Sequence, residues 1–134
     1  MLEVILVDDD DIVLMMQQKM ICRCEISSEP VIFKSALETL EYLNTPDNLN
    51  DKKKEYLILL DINMPIMSGW QFLDKIKEHP LHDQIHVIMV TSSIDQKDRI
   101  RAKKYQRVID YIEKPVTLKH CESLKQLKPI NVFF

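Results

Sequence analysis

Three short runs, Leu2 to Val7 (LEVILV), Tyr56 to Leu60 (YLILL) and Ile85 to Val90 (IHVIMV), are almost unbroken in apolar character and rich in aliphatic residues. A strand with one wet face alternates apolar and polar residues. Runs without that alternation belong to strands buried on both faces, as in a parallel sheet covered by helices. Weaker strands fit Pro30 to Phe33 and Val108 to Ile112. Between the strands lie apolar stripes at helical spacing: Ile12, Met16 and Met20 with Val13 and Ile21; Ala36, Leu37, Leu40 and Leu43; and Phe72, Leu73 and Ile76. A fourth helix fits Asp95 to Lys104 and a last one Leu118 to Leu127 before Pro129, while Thr45 to Glu55 (TPDNLNDKKKE) reads as an extended surface loop. Five strand–helix repeats predict an α/β doubly wound parallel sheet, flavodoxin-like, with strand order 2-1-3-4-5.

A chain of 134 residues, 46% of them apolar, can bury one sizeable core, so a single domain over residues 1–134 with no output domain is expected. Its apolar start contains Glu3 and runs into Asp8 to Asp11, which excludes a signal peptide or membrane span and points to a cytoplasmic protein. Cys22, Cys24 and Cys121 are odd in number without secretory context, and read as reduced core or near-core thiols. A net charge of -3 gives no general case for nucleic-acid binding. Gly69 is the only glycine, so glycine-rich phosphate loops are excluded.

Asp8 and Asp9 follow directly on the first strand and Asp61 on the third. In an open parallel sheet, ligands bind beyond the carboxyl ends of the strands where strand order reverses, and there the first and third strands are neighbours. Asp8, Asp9 and Asp61 should therefore converge. Three carboxylates in one place repel unless a cation joins them, and an oxygen-only donor set on an exposed rim suits Mg2+. Asp10 or Asp11, ahead of Ile12, reads instead as a helix cap.

Four blocks complete the pattern: VDD at Val7 to Asp9, LLDINMPIMSG at Leu59 to Gly69, VTSS at Val90 to Ser93 and YIEKP at Tyr111 to Pro115. Together they resemble the signature blocks of response-regulator receiver domains, of the single-domain, chemotaxis-regulator-like kind, in family order over Leu2 to about Lys128. The resemblance implies a phosphoacceptor of two-component or phosphorelay signalling. Asp61 would accept the phosphoryl group, and Mg2+ would be held by Asp8, Asp9, Asp61 and the backbone carbonyl of Asn63. Lys114 would supply a second cation, with a cis bond to Pro115, while Thr91 and Tyr111 would form the switch that biases the fourth helix, fifth strand and fifth helix. Asn63 and Ser93 stand where the family tunes hydrolysis of the acyl phosphate. The implied partners are a sensor histidine kinase or histidine phosphotransfer protein upstream and a protein target downstream; catalysis is limited to the protein's own phosphorylation and slow dephosphorylation.

The chain departs from the family at Arg107 and Val108, where small residues are usual, so the loop into the fifth strand is expected to differ in shape. A haloacid-dehalogenase-type phosphohydrolase shares a strand-end aspartate nucleophile, but needs a second acid two residues later, where this chain has Asn63. A degenerate receiver that only binds a partner is disfavoured by Asp8, Asp9, Asp61, Thr91 and Lys114. The basic segment Lys97 to Arg107 reads as a solvated helix face that could dock an acidic partner. Most of the seven methionines are read as core filling, and His79 and His82 as no metal site. His86 and His120 show no evident partner in the sequence.

Overall fold

The structure, a computed structural model, describes residues 1–134. Strands β1 (Leu2–Val7), β2 (Val31–Phe33), β3 (Glu55–Leu60), β4 (Ile85–Thr91) and β5 (Val108–Glu113) form one parallel sheet in the order β2-β1-β3-β4-β5. Helices α1 (Asp11–Arg23), α2 (Ala36–Leu43), α3 (Pro46–Asn50), α4 (Gly69–Ile76), α5 (Gln96–Ala102) and α6 (Leu118–Leu124) occupy the connections and the C-terminal side of β5. This is the flavodoxin-like arrangement expected from the sequence. No helix is long and apolar enough to cross a membrane.

The unbroken apolar runs are explained by two cores, one on each face of the sheet. Ile5, Val7, Ile58, Leu60, Val87 and Met89 point to one side, where Leu40, Leu43, Phe72, Leu73 and Ile76 of α2 and α4 cover them. Val4, Leu6, Leu57, Leu59, Ile88 and Val90 point to the other, against Leu14 and Ile21 of α1 and Cys121 and Leu124 of α6. Successive strand residues thus serve opposite cores, each fully buried aliphatic side chain stabilising the fold by roughly 1.5–3 kcal/mol.

Four expectations need correction. The buried side of α1 is Leu14, Gln17 and Ile21, whereas Ile12 is 65% exposed and Met16 51% exposed. The i, i+4 row through Ile12 and Met16 looked like the core stripe, but the helix is rotated so that the i, i+3, i+7 row meets the sheet. Met15 is likewise exposed, so these methionines do not fill the core, although Met64 and Met89 do. The segment Thr45 to Glu55 is no plain loop: Pro46 opens the short helix α3, and Asn48 is buried. Its Nδ2 donates to the Tyr42 carbonyl at 2.7 Å, and its Oδ1 accepts from Lys54 Nζ (2.9 Å) and Tyr56 OH (3.0 Å). Lys54 also pairs with Glu3 at 3.1 Å. Because α3 is counted, the predicted fourth and fifth helices are α5 and α6.

His86 and His120 do have partners. His86 Nε2 lies 2.8 Å from Glu55 Oε1, and His120 closes a capping box with Thr117 at the start of α6. At the loop into β5, Arg107 is built into the backbone of the sheet edge. That guanidinium donates from Nε to the Ile85 carbonyl at 2.8 Å, and the β4–β5 register slips between Val87 and Ile88, pairing Val87 with Val108 but Ile88 with Asp110. Ile109 is the extra residue, and such a bulge re-aims the strand beyond it. Cys24 and Cys121 are buried and Cys22 is half-buried, all three free thiols.

Candidate functional site

β1 and β3 are paired along their whole lengths, with Val7 opposite Leu60, so Asp8 and Asp61 leave the sheet side by side. One oxygen from each of Asp8, Asp9 and Asp61 can be chosen such that all lie within 4.8 Å of one another. Asp8 and Asp61 are buried, and Asp9 is exposed at the rim. Local hydrogen bonds fix the pair: Asp8 Oδ1 accepts from the Asp10 N–H at 2.9 Å, and Asp61 Oδ1 from the Ile62 N–H at 2.9 Å. Asp10 then caps α1, its Oδ1 accepting from the N–H groups of Ile12 (2.9 Å) and Val13 (3.3 Å), as the sequence suggests for that position.

Lys114 reaches back from the end of β5 and holds both acids, its Nζ 2.6 Å from Asp8 Oδ2 and 3.5 Å from Asp61 Oδ2. The Lys114–Pro115 peptide bond is cis. Burial works against the lysine's charge, but its hydrogen bond to Asp8 and the charges of Asp61 and Asp8 more than offset this, raising its pKa. Burial pushes the Asp61 carboxyl up to about 6, the neighbouring Asp8 charge adding to the effect and Lys114 and the Ile62 N–H opposing it.

The donor set fits a hard divalent cation. Asp8 Oδ2 is buried, and the Lys114 ammonium at 2.6 Å is the only donor that approaches it. That leaves an anionic oxygen with unused acceptor capacity, facing two further carboxylates and no nitrogen or sulfur ligand. Asn63 is exposed in the loop after Asp61, and its carbonyl takes part in no backbone hydrogen bond.

Thr91 is fully buried at the end of β4; its hydroxyl oxygen accepts from the Ser93 N–H at 3.2 Å and makes no hydrogen bond to Asp61. Tyr111 is half-buried on β5, and its hydroxyl donates to the Ser93 carbonyl at 3.3 Å. Both predicted switch residues are therefore tied to Ser93, whose own hydroxyl donates to Asp98 Oδ2 of α5 at 2.7 Å. The Arg99 guanidinium lies over the Tyr111 ring, 4.6 Å from its centroid.

Two contributors have a structural part that the sequence does not assign. The Ser93–Asp98 bond spans a turn and leaves no pattern in the sequence. Gly69 left a visible sign in being the only glycine of the chain. Its N–H donates to the Ile62 carbonyl at 2.8 Å, and a Cβ there would overlap the Asp61 carbonyl oxygen and lie 3.0 Å from Ile62 Cα. Both obstacles are backbone and cannot swing aside. Gly69→Ala should therefore destabilise the fold by roughly 1–3 kcal/mol, read as a lower urea midpoint, by forcing α4 away from the strand end that carries Asp61.

The family profile for the response regulator receiver domain matches residues 4–125. The chain belongs to that family. It is 27% identical over 131 residues, 98% of this chain and 87% of the relative, to the response regulator Rcp1 of Synechocystis sp.. A two component response regulator from Cytophaga hutchinsonii superposes with a TM-score of 0.85 at 30% identity, covering 97% of each chain. A structure of the phosphorylated cyanobacterial phytochrome response regulator RcpA matches at 26% identity and a TM-score of 0.71, covering 98% of this chain and 91% of that one. The sensor histidine kinase CheAY of Helicobacter pylori is 33% identical over 81 residues, 60% of this chain but 9% of the kinase.

Proposed function

We propose that this receiver is a cytoplasmic phosphoacceptor, in which Asp61 takes a phosphoryl group from a phosphohistidine with the assistance of Mg2+. The observation that carries this reading is the convergence of Asp8, Asp9 and Asp61 with Lys114 bridging two of them. Support comes also from RcpA, a structural neighbour described in its phosphorylated form. In the reaction a carboxylate oxygen of Asp61 attacks phosphorus while the phosphorus–nitrogen bond of the donor breaks, and the product is an acyl phosphate. Mg2+ held by Asp8, Asp9, Asp61 and the Asn63 carbonyl would neutralise the charge that separates an anionic nucleophile from an anionic donor. Lys114 contributes a fixed positive charge on the other side of the carboxylate.

Thr91 and Tyr111 act as the switch. A phosphoryl oxygen on Asp61 offers the Thr91 hydroxyl a partner better than the Ser93 N–H, and a move of Thr91 loosens the segment that holds Tyr111 and, through Asp98, α5. The phosphoryl group thus favours one of two arrangements of α5, β5 and α6, and a downstream protein reads the difference. The donor docks on α1, where exposed Ile12, Met15 and Met16 flank a cleft lined by Met16, Gln17, Lys114 and Pro115 beside the acid cluster. Such an apolar face suits a helix of a histidine kinase or histidine phosphotransfer protein.

The test is intact mass after incubation with acetyl phosphate, with Mg2+ or with a chelator. A single-phosphate adduct is expected only with Mg2+, labile to hydroxylamine and located in the peptide containing Asp61. No adduct under either condition would leave a receiver that acts by binding alone.

A further inference from the structure

The basic residues of α5 lie outside the acid cluster. Lys97, Arg101 and Lys104, together with Lys77 beyond the end of α4, Ile100 and Tyr105, line a groove of about 470 Å³. It runs on into a second hollow of about 280 Å³ that shares Lys77, Lys104 and Tyr105 and adds Arg107 and His82. No carboxylate lines either part. Lys77 has one acidic neighbour, Asp74 at 3.7 Å, and that carboxylate also accepts from Tyr105 OH at 2.9 Å. Lys97, Arg101, Lys104 and Arg107 form no ion pair. Four unpaired cations side by side repel one another, and a chain of net charge -3 has acids to spare for neutralising them.

Two cations of the groove, one of them Lys77, are held in place. Arg101 lies over the Trp70 ring at 4.5 Å and Lys77 over the Tyr105 ring at 4.8 Å, and the two rings stack with centroids 5.9 Å apart. Cations anchored on aromatic faces lose little freedom when they bind an anion. Among them Ile100 is 56% exposed, an apolar contact inside a ring of positive charge.

We propose that this groove docks an acidic segment of a partner protein, rich in Glu or Asp and bearing an apolar side chain that rests on Ile100. Nucleic acid suits it less well. The Trp70 and Tyr105 rings are buried and offer bases no face for stacking, whereas exposed Ile100 suits an apolar side chain. The groove lies on the α4 side of α5, away from the acid cluster, and docking there does not require Asp61 to be phosphorylated.

Trp70, the single tryptophan, sits under Arg101 and reports on the groove by fluorescence. The full chain is titrated with a synthetic peptide of glutamates interrupted by leucines, a glutamate-only peptide of equal charge, and a single-stranded DNA oligonucleotide. Saturable binding of the Glu–Leu peptide is expected, weakened by added salt and weaker for the glutamate-only peptide. Lys97→Glu combined with Lys104→Glu should lower affinity about tenfold or more, with the circular dichroism and the acetyl phosphate adduct unchanged. Absence of saturable binding, equal affinity in the charge-reversed variant, tighter binding of the oligonucleotide, or self-association of the chain at these concentrations would overturn the proposal. Equal binding of both peptides would remove Ile100 from it.

Discussion

Asp61→Asn is expected to abolish the Mg2+-dependent phosphate adduct and, at the same time, to make the metal-free protein more stable at neutral pH. The first effect follows from the proposed role: an amide oxygen cannot serve as the carboxylate nucleophile. The second follows from the acid cluster. The Asp61 carboxyl titrates near 6 in the folded chain against an ordinary value of 3.8, because burial and then the charge of Asp8 disfavour its ionised form. The folded state therefore holds this proton more tightly than the unfolded state. As pH rises from about 4 to 6 the unfolded chain releases the proton first, and folding loses stability throughout that window; above about 6 the loss is complete. A shift of about two units sets a ceiling of roughly 3 kcal/mol, which solvent screening at the open rim reduces to about 1–2 kcal/mol. Urea unfolding in a chelator should show the asparagine variant ahead by that amount at pH 7 and level with the native chain near pH 4. Added Mg2+ should narrow the gap at pH 7 by stabilising the native carboxylates. A variant that still forms the adduct would remove Asp61 as the acceptor, and one no more stable at pH 7 would mean that the cluster is not under charge strain.

The sheet and the acid cluster could both be read in the sequence for the same physical reason. A strand buried on both faces must be apolar throughout, so LEVILV and YLILL mark their own ends, and whatever follows them stands on the rim of the sheet. Asp8, Asp9 and Asp61 were thereby positioned without any knowledge of side-chain packing. The rotation of α1 was not legible, because Ile12, Met16 and Met20 form as good an apolar row as Leu14 and Ile21, and only contact with the sheet chooses between them. Ile12 and Met16, the exposed part of that row, are proposed to meet the donor. Helix α3 was hidden by its polar composition; what holds it is the Asn48 side chain, bonded to Tyr42, Lys54 and Tyr56, and those partners are fixed by tertiary structure. Ser93 stands out in the sequence only through its place in the VTSS block, and its ties to Thr91, Tyr111 and Asp98 become visible only in the folded chain.

Lys114→Met should reduce the rate of adduct formation by about 10²–10³-fold, the range found when one preorganised donor to a developing charge is removed. Methionine retains most of the stem that packs along the site, so the change isolates the charge. In the metal-free chain that charge is the one cation within 4.0 Å of either Asp8 or Asp61, at 2.6 and 3.5 Å. Its loss leaves Asp8, which is 1% exposed, without a counterion, and the metal-free fold should weaken by about 2–3 kcal/mol. Mg2+ affinity should move in the opposite direction. Lys114 competes for Asp8 Oδ2, the buried oxygen whose remaining acceptor capacity suits a metal, so removing it should tighten Mg2+ binding by about tenfold, or ~1.4 kcal/mol. Calorimetric titration of Mg2+ together with adduct kinetics at saturating Mg2+ separates the two roles. Tighter metal binding with slow phosphorylation would place Lys114 on the phosphoryl group itself. Weaker metal binding with an equal fall in rate would reduce it to a support for the acid cluster, and unchanged kinetics would exclude it from the proposed transfer.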